Sequence, residues 1–389
     1  MKHALTGAFL VVVWTLLTPA RAGHELPYYP SFYPQEIRLE TVRPDVAAAR
    51  LQNHTMHAYI GGTPLFGAPI PADMRSVASL HSYVVVTFNS AATPLQTSTA
   101  RCAVAQEMLA ALAGQADTYV FHPYPVTPYH ADYLQHFDRV EAAQASYGHR
   151  SGENPRAASR SLLIRTRGAL AEQLVQSRWQ TATAEWDATV EEVALADLLR
   201  PHTSSLNGWL GPPWLKEGWF HAYLLLAETV SDVSTRQQID ALYRRLLTGG
   251  YDSTAEQLNV ERDLVALLRQ GCERVVVGYS VRHEYFNAEF SAGIENIAFD
   301  SQAGFHSPIF LRTVKLKDLP WNGWLRLGMD TAPDAAWNPL AGFTDSAGRF
   351  LWYAVGDTAL FPAPYSGSWT LNRIADYEFT GHRPVTGKP

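Results

Sequence analysis

The chain has 389 residues, of which 47% are apolar and 17% are charged, so it is too hydrophobic to remain disordered. Its formal net charge of -6 argues against nucleic acid or an anionic membrane surface as the main partner. A chain of this length usually exceeds one hydrophobic core, which favours two domains or one domain with an insertion.

Residues 1–22 have the order of a cleavable secretory signal peptide. Lys2 gives a positive start, an apolar run follows over residues 4–17, and Ala20-Arg21-Ala22 supplies the small residues of a cleavage site. The apolar run is shorter than the roughly 20 residues that a membrane-spanning helix needs. We therefore expect cleavage, a periplasmic or extracellular location, and no transmembrane segment in the mature chain.

Residues 23–36 are rich in proline and tyrosine. Pro27, Pro30 and Pro34 exclude a helix in this stretch because each removes a backbone donor and fixes φ. The pattern predicts an extended N-terminal arm.

Residues 37–155 show a strand–helix–strand pattern twice. Ile37–Val42 and Met56–Ile60 read as strands around a first helix, and Ser82–Phe88 and Asp117–Phe121 read as strands around a second, Ala-rich helix. Two such βαβ-like units predict a parallel or mixed sheet covered by helices, and hence an α+β or α/β fold.

The loop after Asp117–Phe121 is the most distinctive candidate site in the sequence. In open α/β sheets ligands bind beyond the carboxyl ends of the strands, and the loop after Phe88 is expected to open at the same edge. Imidazole, phenol and hydroxyl groups from both loops can hydrogen-bond a small ligand, and we expect the site to be partly exposed. The predicted ligand-binding residues are Asn89, Ser90, Ser98, His122, Tyr124, Tyr129, His130 and Asp132.

The same loop also permits a metal site. His122, His130, Asp132 and His136 are side chains of the kind that bind zinc or copper, although their spacings match no established metal motif. A third possibility is a rigid aromatic loop with ordinary structural hydrogen bonds. The residues alone leave these three alternatives open.

Residues 156–271 read as an all-helical segment. Helices are predicted over Ser161–Arg178 and Glu185–Arg200 from apolar residues at helical spacing. Three more are predicted over Trp214–Val230, Arg236–Leu247 and Ala255–Gln270. Within it, Trp214-Leu215-Lys216-Glu217-Gly218 resembles the WLxEG segment of gluzincin peptidases, which would make Glu217 a zinc ligand. That family needs HExxH upstream, which this sequence lacks, so the resemblance predicts no peptidase.

Residues 272–380 return to short apolar segments separated by Gly and Pro, and residues 381–389 form a tail. Arg274–Tyr279 reads as a strand, and Asp345–Gly348 reads as a hairpin turn before a strand over Phe350–Val355. The predicted architecture is therefore an α+β body, built by the N- and C-terminal regions, around a central helical segment.

Cys102 and Cys272 are the two cysteines of the chain. Neither lies in a CxxC motif, and an even pair in an exported protein favours a disulfide bond. The bond would join the first region to the start of the third.

Two functions are consistent with these features. The first is a non-enzymatic, solute-binding-like protein that binds a small molecule and serves a membrane transporter or membrane enzyme, with no identifiable cofactor. The second is a secreted metalloprotein, either a hydrolase or a metal carrier, with divalent zinc or copper in the His/Asp-rich loop 122–136, called the His-rich loop below. No P-loop, nucleophile elbow or dinucleotide fingerprint supports a particular enzyme.

Overall fold

The computed structural model describes residues 34–67, 69–113, 119–148, 162–175, 179–181, 184–203, 213–319, 323–334, 345–356 and 359–376. The predicted signal peptide, most of the proposed arm and the tail at 381–389 lie outside these residues and stay predictions.

Strands and helices alternate along the described chain. The strands are β1 Glu36–Thr41, β2 Ala58–Ile60, β3 Met74–Phe88, β4 Val120–Phe121, β5 Leu163–Arg167, β6 Gln180–Thr181, β7 Ala188–Ala194, β8 Arg274–Asn287, β9 Ile294–Glu295, β10 Lys315–Leu316, β11 Trp324–Met329, β12 Leu360–Pro362 and β13 Trp369–Leu371. The helices are α1 Pro44–Gln52, α2 Ser98–Ala113, α3 Phe137–Gly148, α4 Ala169–Val175, α5 Leu195–Thr203, α6 Gly218–Leu226, α7 Val233–Thr248, α8 Thr254–Arg269, α9 Pro308–Thr313 and α10 Ser346–Val355. The fold is a mixed α+β fold, as the sequence predicts in outline.

One mixed sheet of nine strands in the described residues organises the fold, in the order β1-β11-β2-β8-β3-β7-β5-β6, with β4 also paired to β8. The long strands β3 and β8 run antiparallel at its centre. Parallel strands lie on both sides, with β1 and β2 along β11 and with β5 along β7. The N- and C-terminal regions thus interleave in a single sheet.

The two predicted βαβ units have the expected parallel strands, but neither pair is adjacent. β11 lies between β1 and β2, and β8 lies between β3 and β4. Single-sequence patterns identify strands but contain no signal for which distant strand is inserted between them. The central sheet therefore depends on residues more than 150 positions away, as in the pairing of Val84 with Gly278.

β3 has apolar residues on both faces because helices cover both sides of the sheet. Tyr83 and Val85 pack against α6, α7 and α8, whereas Val84 and Val86 pack against α2 and α4. All four side chains are fully buried. A continuous apolar run is typical of a central strand covered on both faces.

The prediction of an all-helical segment is wrong before Leu195. Ser161–Arg178 contains β5 and the short helix α4, and Glu185–Arg200 contains β7 before α5 begins. Gly168, at φ +93°, separates β5 from α4. Such a positive φ is incompatible with a continuous helix, and the β-branched residues of β7 pair with β3 instead of forming a helical turn.

Two predictions for the C-terminal region have opposite outcomes. The predicted hairpin turn at Asp345–Gly348 is wrong, because the Asp345 side chain accepts a hydrogen bond from the Gly348 N–H and caps α10. The predicted disulfide is confirmed: Cys102 on α2 is bonded to Cys272 ahead of β8. In the part of the chain that the structure describes, no helix is both long and apolar enough to cross a membrane.

Candidate functional site

The predicted His-rich site is buried inside the protein rather than partly exposed at a sheet edge. His122, His130, Asp132 and His136 are each at most 5% exposed. The loop that carries them packs on the face of the sheet that presents Tyr83, among the residues that contact α6, α7 and α8. Its aromatic side chains belong to the hydrophobic core, which a reading of polar residues alone could not predict.

Tyr83, His130 and His221 form a closed hydrogen-bonded triangle. The Tyr83 hydroxyl lies 2.8 Å from His130 Nε2 and 2.8 Å from His221 Nδ1, and these two nitrogens are 2.9 Å apart. His221 Nε2 lies 2.7 Å from the Leu215 carbonyl, which can only accept, so Nε2 donates and Nδ1 accepts. The Thr127 N–H donates to His130 Nδ1 at 2.8 Å, so His130 Nε2 carries the proton.

Both rings are therefore neutral in the folded protein. Burial lowers the pKa of His221 to about 4. Burial, followed by the neighbouring His221, lowers the pKa of His130 well below its usual range. All four ring nitrogens of His130 and His221 already take part in hydrogen bonds. A second proton on either ring would therefore point at another donor.

The other predicted ligand-binding residues do not converge on one site. His122 Nε2 lies 2.8 Å from the Val126 carbonyl, and Asn89 Nδ2 donates to the Trp186 carbonyl at 2.9 Å. Ser90 and Ser98 are exposed. Asn89 is six positions beyond Tyr83, or about 20 Å along an extended strand.

Tyr124 and Tyr129 pack in the core beside the histidines. The Tyr124 hydroxyl lies 3.0 Å from His136 Nδ1, and the Tyr129 ring meets the Tyr279 ring edge-on with centroids 5.7 Å apart. Of the four predicted metal ligands, only Asp132 and His136 belong to a described group whose ligand atoms lie within 4.8 Å of one another. His122 and His130 use ring nitrogens in hydrogen bonds within the protein.

Asp132 and His136 instead lie beside Glu261, a carboxylate that the predicted metal set does not include. Asp132 caps the start of α6, accepting hydrogen bonds from Gly218 N at 2.6 Å and Trp219 N at 3.1 Å. Burial raises the pKa of Asp132 to about 6 and that of Glu261, on α8, to about 7. Burial, with the charges of Asp132 and Glu261, raises the pKa of Glu217 to about 8.

The buried loop also supports a short turn, Pro213–Lys216, that precedes α6. The Ala131 N–H donates to the Lys216 carbonyl at 3.1 Å, and His221 binds the Leu215 carbonyl. The backbone of this turn is thus held by hydrogen bonds from His221 and from Ala131 of the loop. Lys216 projects from it to an ion pair with Asp300 and a hydrogen bond to the Ala363 carbonyl.

A cleft with a cavity of about 230 Å³ lies in front of this turn. Its walls come from the β7–α5 corner, the 300–308 loop, α10 and the β12–β13 hairpin. The lining includes the charged or polar residues Lys216, Arg282, Asp300, His306, Ser307 and Arg349. The cleft therefore lies where the central region meets the C-terminal region.

Three residues in the cleft wall have buried polar atoms without a hydrogen-bond partner in the described part of the chain: Arg282 Nε, His306 Nε2 and Ser307 Oγ. Arg282 Nη2 donates to Ser79 Oγ at 3.3 Å and to the Ala303 carbonyl at 3.2 Å, and Arg282 Nε lies 3.9 Å from Glu284 Oε1, beyond hydrogen-bond distance. Burial, followed by the nearby arginines, lowers the pKa of His306 to about 3.

Glu284 holds the loop that forms one wall of the cleft. Its carboxylate accepts hydrogen bonds from Gly61 N at 2.6 Å and Phe305 N at 2.8 Å. Gly304, at φ +61°, lies so close that a Cβ there would be 1.8 Å from Glu284 Oε2. This contact brings the residues around His306 close to β8.

Sequence reasoning missed the residues of this cleft. The available signal was the cluster of polar residues between Asp300 and Ser307, in a region predicted from sequence only as short apolar segments separated by Gly and Pro. Arg282 lies in the second half of β8, beyond the predicted end of that strand at Tyr279. Arg349 lies on α10, where the sequence predicts a turn and a strand.

No protein-family model and no curated protein matches the sequence. Partial similarity to solved structures exists. The oligopeptide-binding protein of Bacillus subtilis, in complex with a nonapeptide, aligns at 12% identity over 71% of this chain and 59% of its own, with a TM-score of 0.39. The Haemophilus influenzae protein OppA aligns at 9% identity over 70% and 56%, with a TM-score of 0.39.

A nickel ABC transporter protein of Bacillus halodurans is similar at 13% identity over 66% of this chain and 58% of its own, with a TM-score of 0.36. This chain thus spans less than two thirds of the length of each of these proteins.

Proposed function

We propose that the protein is an exported, non-enzymatic binding protein that holds a small solute with a carboxylate or other anionic group in the cleft. The observation that carries this proposal is the set of buried polar atoms on Arg282, His306 and Ser307 that lack a partner in the described residues. Buried polar groups in folded proteins are nearly always hydrogen-bonded, so unpartnered groups beside a cavity suit a bound molecule.

The charges of the cleft favour an anion. Among its lining residues, Lys216, Arg282 and Arg349 are cationic, whereas Asp300 is the acidic one and is paired with Lys216. The cationic side chains of the lining therefore outnumber the acidic one by three to one. A guanidinium matches the geometry of a carboxylate and can donate two parallel hydrogen bonds to it.

The size of the cleft favours a small solute. Its volume of about 230 Å³ is below the ~300–1,000 Å³ of most drug-sized ligand pockets. His306 supports binding rather than catalysis, because a general base works best with a pKa near the working pH and burial lowers the pKa of His306 to about 3. An exported protein of this kind would deliver its solute to a membrane transporter or membrane enzyme.

The predicted loop residues have a supporting role in this proposal. His130, His221 and the backbone at Ala131 fix the turn that presents Lys216, but their side chains are used within the protein. The His-rich loop thus shapes the back of the binding site.

A thermal-shift panel tests the proposal. Small carboxylates, amino acids, amines and neutral sugars are added to the purified protein, and the unfolding temperature is measured. A true ligand at 100 times its dissociation constant stabilises the folded state by about 2.7 kcal/mol. We expect carboxylates to raise the unfolding temperature of the wild type. For Arg282→Met, we expect the same unfolding temperature with and without the carboxylate.

The panel also contains the results that oppose the proposal. Stabilisation by amines or sugars alone contradicts an anionic ligand. Turnover of a stabilising compound contradicts a purely binding role. Ser90→Ala, which changes an exposed residue outside the cleft, serves as the matched control and is expected to retain the full shift.

A further inference from the structure

A second cluster of chemically competent side chains uses none of the residues that line the cleft. Asp132, His136 and Glu261 each offer one ligand atom, and these atoms all lie within 4.8 Å of one another. They come from three places in the fold: the end of the His-rich loop, the turn Tyr133–His136, and α8. All three side chains are buried.

Two atoms in this cluster lack a hydrogen-bond partner in the described residues: His136 Nε2 and Glu261 Oε2. His136 is fully buried and Glu261 is 1% exposed. His136 Nε2 points toward Asp132, with 3.7 Å between Nε2 and Oδ2. Gln257 binds the other Glu261 oxygen at 2.8 Å, which orients the free oxygen.

We propose that Asp132, His136 and Glu261 form a buried site for one divalent transition-metal ion, with Zn²⁺ as the best match. One imidazole nitrogen and carboxylate oxygens are a common donor set for zinc. Zinc bonds of about 2.1 Å in a tetrahedral site place ligand atoms about 3.4 Å apart. The Asp132–His136 separation of 3.7 Å is close to that value, and Glu261 closes the set with a small side-chain movement.

The surrounding contacts fit such a site. The Tyr124 hydroxyl is 3.0 Å from His136 Nδ1, so the tyrosine oxygen can accept a hydrogen bond from Nδ1–H and leave the Nε2 lone pair for the metal. Asp132 accepts two N–H groups at the start of α6, which fixes its carboxylate while a lone pair remains on each oxygen. Glu217, the residue before α6, interacts electrostatically with Asp132 and Glu261.

The proposed ion would be structural. It would join the His-rich loop to α8, and it would offset the charge of carboxylates that are removed from water. Because the ligands are buried, the bound ion would leave slowly. This site does not depend on the proposed function of the cleft.

Zinc binding by an untagged protein tests the inference. Metal content is measured by mass spectrometry after purification, and the metal-free protein is then titrated with Zn²⁺ against a chromophoric chelator. We expect one Zn²⁺ per chain. Glu261→Gln and His136→Asn should each weaken the Zn²⁺ affinity about 100-fold or more, because each removes a direct ligand.

Matched controls are available in the chain. Asp263→Asn removes an exposed carboxylate two positions along α8, and His283→Gln removes an exposed imidazole, so both should keep the wild-type affinity. If either ligand variant fails to fold, X-ray absorption of the zinc-loaded wild type decides instead. One imidazole among nitrogen and oxygen donors at about 2.0–2.1 Å supports the site. Absence of zinc binding by the folded wild type, wild-type affinity in both ligand variants, or a shell with several imidazoles overturns it.

Discussion

Replacement of Tyr83 by phenylalanine isolates the energy of the histidine triangle. The substitution keeps the ring that packs against α6, α7 and α8, but it removes a hydroxyl that is 2.8 Å from His130 Nε2 and 2.8 Å from His221 Nδ1. A buried hydrogen bond contributes about 0.5–1.5 kcal/mol net, so two give about 1–3 kcal/mol. His130 can still donate to His221 at 2.9 Å, which places the expected loss near the lower end.

Urea unfolding followed by tryptophan fluorescence measures this loss of free energy. Tyr129→Phe is the control, because the Tyr129 hydroxyl has no hydrogen bond within the described residues and its removal should change stability by less than about 0.5 kcal/mol. Equal stabilities of Tyr83→Phe and the wild type would refute the tautomers assigned to the triangle. A loss well above 3 kcal/mol would mean that the hydroxyl controls the packing of the whole loop.

Three further predictions concern pH, the disulfide and a glycine. Burial lowers the pKa of His221 to about 4 in the folded protein, so the unfolded state takes up a proton at this residue first as the pH falls below about 6.5. From this group alone, the free energy of unfolding at pH 5 should be about 2 kcal/mol lower than at pH 7. Equal urea midpoints at the two pH values would contradict this. Reduction of Cys102–Cys272 opens a loop of 170 residues and should cost up to about 5 kcal/mol, measured as the unfolding midpoint with and without reductant. Gly304→Ala should destabilise the protein by several kcal/mol through its clash with Glu284, whereas Gly249→Ala, also at positive φ but in open space, should cost about 1 kcal/mol.

Local patterns were sufficient to predict several elements. Periodicity and capping predict six elements close to their positions in the structure: β1, α1, the apolar core of β3, α2, α7 and α8. The Cys102–Cys272 bond follows from the count of cysteines and the export signal. These features depend on neighbouring residues or on composition, which a single sequence contains.

The functional site could not be predicted in the same way, for two physical reasons. Polarity alone does not distinguish a surface ligand site from a buried hydrogen-bond network, and the His-rich loop is the latter because Tyr83 and His221 complete it from distant parts of the chain. The cleft is assembled by long-range contacts, such as that between Lys216 and Asp300, which no local pattern encodes.

The central claim, that the cleft binds a small anionic solute, is tested most directly by calorimetric titration of Ser307→Ala. Ser307 is the N-cap residue of α9, but its Oγ makes no capping hydrogen bond and has no partner in the described chain. Removal of the hydroxyl should therefore leave the unfolding temperature of the free protein unchanged. With the carboxylate that gives the largest thermal shift, one lost hydrogen bond should weaken binding by about 5- to 10-fold. Wild-type affinity in Ser307→Ala, or failure of every carboxylate in the panel to bind the wild type, would contradict the account.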